Sequence, residues 1–348
     1  MLLVSGRGAE TPVRPGSRYH GDQAGAPGLL DFAVNVRPAG PPDWLLRRLA
    51  DRLPDLAGYP SPADHDAAVA AVAARHGVPE DQVLLLAGGS EGFALLPALQ
   101  PRLAALIAPS FTEPEAVLAA AGIPLRHVVL PPPFRLSGAA IPDTADLVVV
   151  GNPTNPTGVL HPHEAVLNLR RPGRLVVVDE AFADAVPGEP ESVADMCLPD
   201  LLVLRSLTKT WSLAGLRVGY ALGAPPVLAR LAAHRPHWPL GTLQLEAIAG
   251  CCAPAAVTQA KADATVLSGL RSAFAAALSG LGLEVISGHA PFVTFIVPDG
   301  VLMRKHLRAN GIVVRRCDTF VGLTPDHLRA AVRPDWPLLV AAVAEGLR

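Results

Sequence analysis

The segment LRSLTKTWSLAGLRVGY, residues 204–220, sets Lys209, one of few lysines in the chain, among the hydroxyls of Ser206, Thr208 and Thr210, with Arg217 shortly beyond. A lysine that leaves a strand into a strand-tip pocket gives up its charge readily and can form a Schiff base with an aldehyde. Ser206 and Arg217 have the chemistry to bind phosphate beside it. A lone lysine is more often a solvated surface residue, so its reading depends on its company. VVVDEAF, residues 176–182, ends an apolar run in two acids. A carboxylate there is poorly hydrated and needs a metal or a cationic ring nitrogen. Strand alternation turns Asp179 inward and Glu180 to the other side.

GNPTNPTG, residues 151–158, follows an apolar run, and its two Asn-Pro steps force an irregular loop. The Asn155 amide then stands beyond a strand tip, able to donate to a ligand oxygen, with an Asx-turn as the plainer alternative. GGSEG, residues 88–92, leaves a strand for a helix, and its successive backbone N–H groups suit a phosphate. A tight turn that needs glycine explains GGSEG equally well, and neither GxGxxG nor a Walker lysine is present. Together, phosphate donors, an oxygen donor, a carboxylate for a ring nitrogen and an amine for an aldehyde match the functional groups of pyridoxal 5′-phosphate.

The surrounding sequence must position these groups. Short apolar runs (QVLLLAGG, RLAALIAP, RHVVLPPP, ADLVVVGN, GRLVVVDE, DLLVLRS, LRVGYALG) alternate with helical segments such as EPEAVLAAAG. Runs of this kind are strands buried on both faces, which predicts an α/β fold around a three-layer, mostly parallel sheet. In such sheets ligands gather beyond the carboxyl ends of the strands, where all four motifs fall. Residues 1–30, rich in Gly, Pro and Arg, are expected to form an arm packing on a smaller domain. Residues 31–224 are expected to form the large domain and 225–348 a smaller α+β domain. DHDAAVAAVAARHG is predicted to be a helix with Asp64 as N-cap and Gly77 past its end, after a loop that carries Tyr59.

Composition narrows the partners. With 348 residues, half of them hydrophobic, and a formal charge of −2, the chain can build a large core but has no basic stripe for nucleic acid or membrane. No apolar run reaches the length of a membrane span, and MLLVSGRGAE lacks the pattern of a secretory signal, so the cytoplasm is the expected compartment. Cys197, Cys251, Cys252 and Cys317 show no metal or disulfide spacing and read as free, mostly buried thiols. His161 and His163, in HPHE, read as a Pro-rich surface turn opening a helix, and no metal site is expected.

The collinear motifs NPTNPTG, VVVDEAF and SLTKTWSLAGLRVGY resemble those of fold type I pyridoxal-phosphate enzymes of the class I and II aminotransferase branch. The resemblance implies an aspartate-aminotransferase-like fold in which Lys209 is the catalytic amine. It also implies that Asp179 pairs with the pyridine nitrogen and that Asn155 donates to the ring oxygen. Gly89, Ser90, Ser206 and Arg217 would hold the phosphate, and Phe111 would stack on the ring. Tyr59 falls where a tyrosine from the neighbouring subunit commonly reaches the phosphate, which implies a homodimer with shared sites. The family commonly has DEAY; here Phe182 replaces that tyrosine and has no polar role.

YHGD (19–22), LLDFAVNVRPAGPP (29–42) and VVRRCDTFVGLTPDHLRAAVR (313–333) are similar to the L-threonine-O-3-phosphate decarboxylase group of the cobalamin pathway, near histidinol-phosphate aminotransferase. The resemblance makes Arg329 the clasp for a substrate carboxylate or phosphate. Arg315 becomes a substrate-phosphate ligand, with Arg333 and His20 as further candidates. Asp22 stands where relatives usually carry asparagine. The first expected reaction is therefore decarboxylation of threonine phosphate, and the alternative is transfer of an amino group from histidinol phosphate or a related amine to 2-oxoglutarate. A non-catalytic nucleotide-binding protein built on the GGSEG turn is the reading from another class, and the Lys209–Asp179 pair argues against it.

Overall fold

The computed structural model describes residues 21–25, 28–37 and 39–348. After β1 (Leu30–Asp31), the helices α1 (Asp43–Asp51) and α2 (Pro62–His76) lead into a seven-stranded sheet. Its strands are β2 (Val83–Leu86), β3 (Ala104–Ala108), β4 (Leu125–Val129), β5 (Leu147–Gly151), β6 (Leu175–Asp179), β7 (Leu201–Ser206) and β8 (Gly219–Gly223). They lie in the order β2-β8-β7-β6-β5-β3-β4, and β8 alone runs antiparallel to its neighbours. Between them run α3 (Gly89–Leu95), α4 (Glu113–Ala120), α5 (His163–Leu167) and the single turn α6 (Leu207–Thr210).

The strand sequences explain the layers. Val148, Val150, Val176, Val178 and Val203 enter one apolar cluster, while Leu147, Val149, Val177, Leu202 and Leu204 enter another. Each strand thus sends alternate residues to opposite sides, and both sides are buried, as near-continuous apolar runs require.

Helices α7 (Pro225–Ala232) and α8 (Thr242–Cys252) precede α9 (Pro254–Gly280). The small unit then forms from β9 (Glu284–Ile286), β10 (Phe292–Ile296), α10 (Gly300–Ala309), β11 (Ile312–Val313), β12 (Arg315–Arg316), β13 (His327–Ala331) and α11 (Trp336–Gly346). Its antiparallel sheet has the order β12-β13-β10-β9, and β1 pairs in parallel with β11.

The expected boundaries at residues 31 and 225 differ from those of the packed cores. Leu240, Leu245, Ile248 and Ala260 belong to the cluster under the large sheet, whereas Phe274 and Leu278 of the same α9 belong to the small cluster. Phe32 also packs into the small cluster. The reason is that one 27-residue helix is long enough to serve two cores. Hydrophobic pattern alone does not say where one core ends.

Helix α2 also starts earlier than expected. Ser61, not Asp64, is the N-cap; the Ser61 hydroxyl accepts the Asp64 amide at 3.1 Å, and Pro62 occupies the first turn. Proline at that place loses no helical hydrogen bond, so the helix gains three residues. Gly77 ends it with φ +66°, as expected. Replacing Ser61 with alanine is expected to destabilise the fold by about 1 kcal/mol, read as a lower denaturation midpoint with an unchanged slope.

Candidate active site

The carboxyl ends of the parallel strands open on a cavity of about 360 Å3, closed on its far side by the small unit. Gly89, Ser90, Phe111, Asn155, Asp179, Ser206, Lys209, Arg217, Arg315 and Arg329 all line it. The topology accounts for this convergence. Asp179 and Ser206 are the last residues of the neighbouring strands β6 and β7, and Lys209 rides the turn α6 directly after β7. Asn155 and Phe111 follow the ends of β5 and β3, while Gly89 and Ser90 start α3.

Asp179 faces the cavity. Its carboxylate accepts the Ala181 amide at 3.1 Å and pairs with no guanidinium among the described residues. Burial, aided by the neighbouring Glu180 charge, pushes its carboxyl up to about 6, although the Ala181 amide and Lys209 pull the other way. Glu180 turns to the opposite side as alternation requires, where it accepts Arg205 at 2.8 Å and the Val193 amide at 2.8 Å. An acid at the cavity floor that no guanidinium among the described residues pairs with fits the protonated ring nitrogen of pyridoxal phosphate.

The phosphate side also fits. Arg217 Nη2 donates to Ser90 Oγ at 2.7 Å, and no carboxylate among the described residues pairs with this guanidinium. Gly88 has φ +84°, which favours glycine, and a Cβ there would lie 2.9 Å from Arg217 Nη2 and displace that guanidinium. Arg217 itself sits at φ +61°, a left-handed conformation that costs a non-glycine residue energy and is concentrated at functional sites.

The loop carrying Asn155 is held from below. Asn152 donates to the His161 carbonyl at 3.0 Å and accepts the His161 amide at 2.8 Å, while His161 Nε2 contacts Thr154 Oγ1 at 3.2 Å. His161 is therefore buried, not part of a surface turn, and burial holds its imidazole down to about 4 and hence neutral. His163 does open α5 and pairs with Glu191. Among the described residues, no cluster of histidine, cysteine and acids is placed to hold a metal.

Two arginines form the opposite wall. Arg315 and Arg329 are direct cross-strand partners on β12 and β13, an arrangement that repels unless an anion lies between or beside them. Arg315 donates to the Arg316 carbonyl at 2.7 Å and to Thr319 Oγ1 at 2.8 Å, and lies over the Phe320 ring. Arg329 lies over the Phe292 ring and donates to Asn155 Oδ1 and to the Ala33 carbonyl, the latter at 2.9 Å. With the Asn35 amide turned to present its oxygen, that oxygen accepts both Arg329 terminal nitrogens at 3.2 and 3.3 Å. These Arg329 partners are neutral, and burial pulls the Arg329 guanidinium down to about 10. Asn35 was not singled out from sequence; its segment, AVNVRP, differs little from a coil until β1 pairs with β11 and brings it under Arg329.

Other expected residues lie elsewhere. Arg333 is not in the cavity: its guanidinium grips Asp335 at 2.7 and 2.8 Å, donates to the Asp31 carbonyl and covers Phe32. It sits two residues after Ala331, where β13 ends and the chain turns from the site toward α11, so it acts as a structural clamp. Tyr59 is 76% exposed, outside the cavity, and stacks on Trp238 with centroids 4.2 Å apart. His20 and the Asp22 side chain lie outside the described residues. Phe182 is buried edge-on against Phe292. Cys251, Cys252 and Cys317 are buried and Cys197 exposed, all as free thiols. No helix of the described residues is long and apolar enough to cross a membrane.

The arrangement has relatives. The model of the family "Aminotransferase class I and II" matches residues 27–337. A histidinol-phosphate aminotransferase of Mycobacterium tuberculosis is 63% identical over 336 residues, 97% of this chain and 92% of that protein. The threonine-phosphate decarboxylase of Salmonella typhimurium is 30% identical over 319 residues, 88% of this chain and 87% of the other. Among solved structures, the histidinol-phosphate aminotransferase from Clostridium acetobutylicum has a TM-score of 0.83 at 23% identity, covering 91% of this chain and 98% of that one.

Proposed function

We propose that this chain, which belongs to the pyridoxal-phosphate-dependent class I and II aminotransferases, transfers the amino group of histidinol phosphate, or a closely similar phosphorylated amine, to 2-oxoglutarate. The observation that carries this reading is the buried Arg329, which no carboxylate among the described residues pairs with, beside Arg315 in one cavity with Lys209 and Asp179. Two adjacent guanidinium groups suit a ligand of about two negative charges, a phosphate monoester in one half-reaction and a dicarboxylate in the other. Decarboxylation of threonine phosphate, expected first from the terminal motifs, gives way to transamination. The 63% identical relative bears the histidinol-phosphate aminotransferase name, and the decarboxylase relative is at 30%.

In this reading Asp179 holds the cofactor's ring nitrogen, Asn155 its ring oxygen, Phe111 its face, and Gly89, Ser90, Ser206 and Arg217 its phosphate. The cofactor supplies an aldehyde and an electron sink for the bonds at the amine-bearing carbon. Lys209 Nζ would hold the cofactor at that aldehyde and would carry a proton to and from the amine-bearing carbon. Arg329 and Arg315 orient the substrate by its anionic end, and Phe182, backed by the buried Phe292, forms an apolar part of the cavity wall. Tyr59, exposed and braced by Trp238, serves the phosphate of a second subunit in a homodimer.

The deciding measurement supplies histidinol phosphate and 2-oxoglutarate, then threonine phosphate alone. Glutamate is expected in the first case and no CO2 in the second; CO2 without glutamate would overturn the assignment.

The Asp179 carboxyl gives a pH signature in the cofactor-free protein. Its pKa is higher folded than unfolded, so the native state binds the extra proton, and stability is lost as pH rises from about 4 to about 6. Asp179→Asn removes that cost. It is expected to stabilise the cofactor-free chain above pH 6 by about 1–3 kcal/mol, the lower part of the range applying because the carboxyl opens on a cavity. Denaturant titrations at pH 4.5 and pH 8 check the sign.

A further inference from the structure

Beneath the cavity ends of β6 and β7 lies a layer of buried charge whose members Glu180, Asp184 and Arg205 do not line that cavity. Arg205 donates to Glu180 at 2.8 Å, to Glu189 at 2.6 Å and to Asp184. Arg75 reaches the same Asp184 at 2.8 Å, and Thr210 Oγ1 donates to Asp184 Oδ2 at 3.3 Å. Glu180 also takes the Ser192 hydroxyl at 2.7 Å. His76, kept neutral by burial, contacts the Tyr220 hydroxyl at 2.8 Å beside these groups.

Each end of this network is covalently adjacent to a residue of the site. Glu180 follows Asp179, Arg205 precedes Ser206, and Thr210 follows Lys209. Because strand neighbours point to opposite faces, Glu180 and Arg205 lie on the reverse side of the backbone from Asp179 and Ser206, and Asp184 and Thr210 close the network beside Lys209. Stability does not call for it, since a buried ion cluster is often replaceable by apolar packing, which fills the rest of this layer. What apolar packing lacks is direction: the guanidinium fork fixes Glu180 relative to Arg205 in angle as well as distance.

We propose that Glu180, Arg205 and Asp184 are positioning residues, a rigid platform that sets the spacing of Asp179, Ser206 and Lys209 and so the seat of the cofactor. The inference rests on the reading that those three residues hold pyridoxal phosphate. It does not depend on the amino donor.

The test uses Arg205→Met, Asp184→Asn and Thr210→Val in the full chain, with Lys209→Ala alongside. Pyridoxal phosphate affinity, the pH midpoint of the bound cofactor's absorption change, KM for the amino donor and the melting temperature of the cofactor-free protein are measured. Displacing the seat is expected to weaken cofactor affinity and kcat by roughly ten- to a hundredfold in Asp184→Asn, with KM within about twofold. The absorption midpoint is expected to move by about half a pH unit or more. Thr210→Val should do the same to a smaller degree with the melting temperature nearly unchanged. Where Arg205→Met does not fold, the two milder variants decide. Lower melting temperatures with cofactor affinity and absorption midpoint unmoved in Asp184→Asn and Thr210→Val would overturn the platform and leave a structural role. An absorption spectrum unaltered in Lys209→Ala would instead overturn the cofactor site itself.

Discussion

Lys209→Ala is expected to lower turnover by about a thousandfold or more and to abolish the absorption that bound pyridoxal phosphate shows through its bond to the protein. Lys209 is the single lysine in the cavity lining, on a one-turn helix whose position is set by β7 before it and by the Arg217-bearing loop after it. No other lining residue supplies an amine. The variant loses both the covalent anchor and the proton carrier at the amine-bearing carbon, so the two effects compound. Lysine to arginine is expected to fail equally, because guanidinium keeps its proton at all working pH values. Single-turnover measurements with cofactor bound in excess separate lost chemistry from lost cofactor. Turnover within tenfold of the parent would remove Lys209 from its role.

Arg329→Met is expected to lower kcat/KM roughly thirtyfold to several thousandfold, a loss of about 2–5 kcal/mol of transition-state stabilisation, for the amino donor and the acceptor alike. The guanidinium is buried and, among the described residues, held by the neutral acceptors Asn155, Asn35 and the Ala33 carbonyl, which leaves its charge to be matched by an anion in the cavity. Arg329→Lys should recover little, since an ammonium cannot donate a parallel pair to a carboxylate or phosphate. Fold stability moves differently. Removal of a buried unpaired cation favours the variant, and three acceptors left without their donor oppose it. The two offset, and stability is expected within about 1 kcal/mol of the parent. Steady-state kinetics with each substrate, beside a denaturation curve, check both halves. Loss for the donor alone would mean that Arg315 carries the acceptor.

Much of the cofactor site was legible because its residues are local to strand ends. VVVDEAF predicts the inward Asp179 and the outward Glu180 by alternation alone, and GNPTNPTG places Asn155 past a strand by two prolines. The expected N-cap at Asp64 missed Ser61 by three residues, since both are good caps and only the Pro62 backbone chooses between them. HPHE misled for a related reason: His161 has the composition of a surface turn, but the Asn152 amide draws its backbone into the core.

The amino-acid sequence by itself determined the α/β layering, the identity of the cofactor and most of the residues that line the cavity at the strand ends. Those features follow from chemistry and periodicity within a few residues of each strand tip. Only the tertiary structure decided that Arg329 belongs to the cavity and Arg333 to Asp335, that Asn35 meets Arg329, and that α9 serves two cores. Arg329 meets Asn35 and the Ala33 carbonyl across almost the whole chain, whereas Arg333 closes on Asp335 two residues away; no local pattern specifies which of several arginines on one strand and its flank will be turned toward a distant loop.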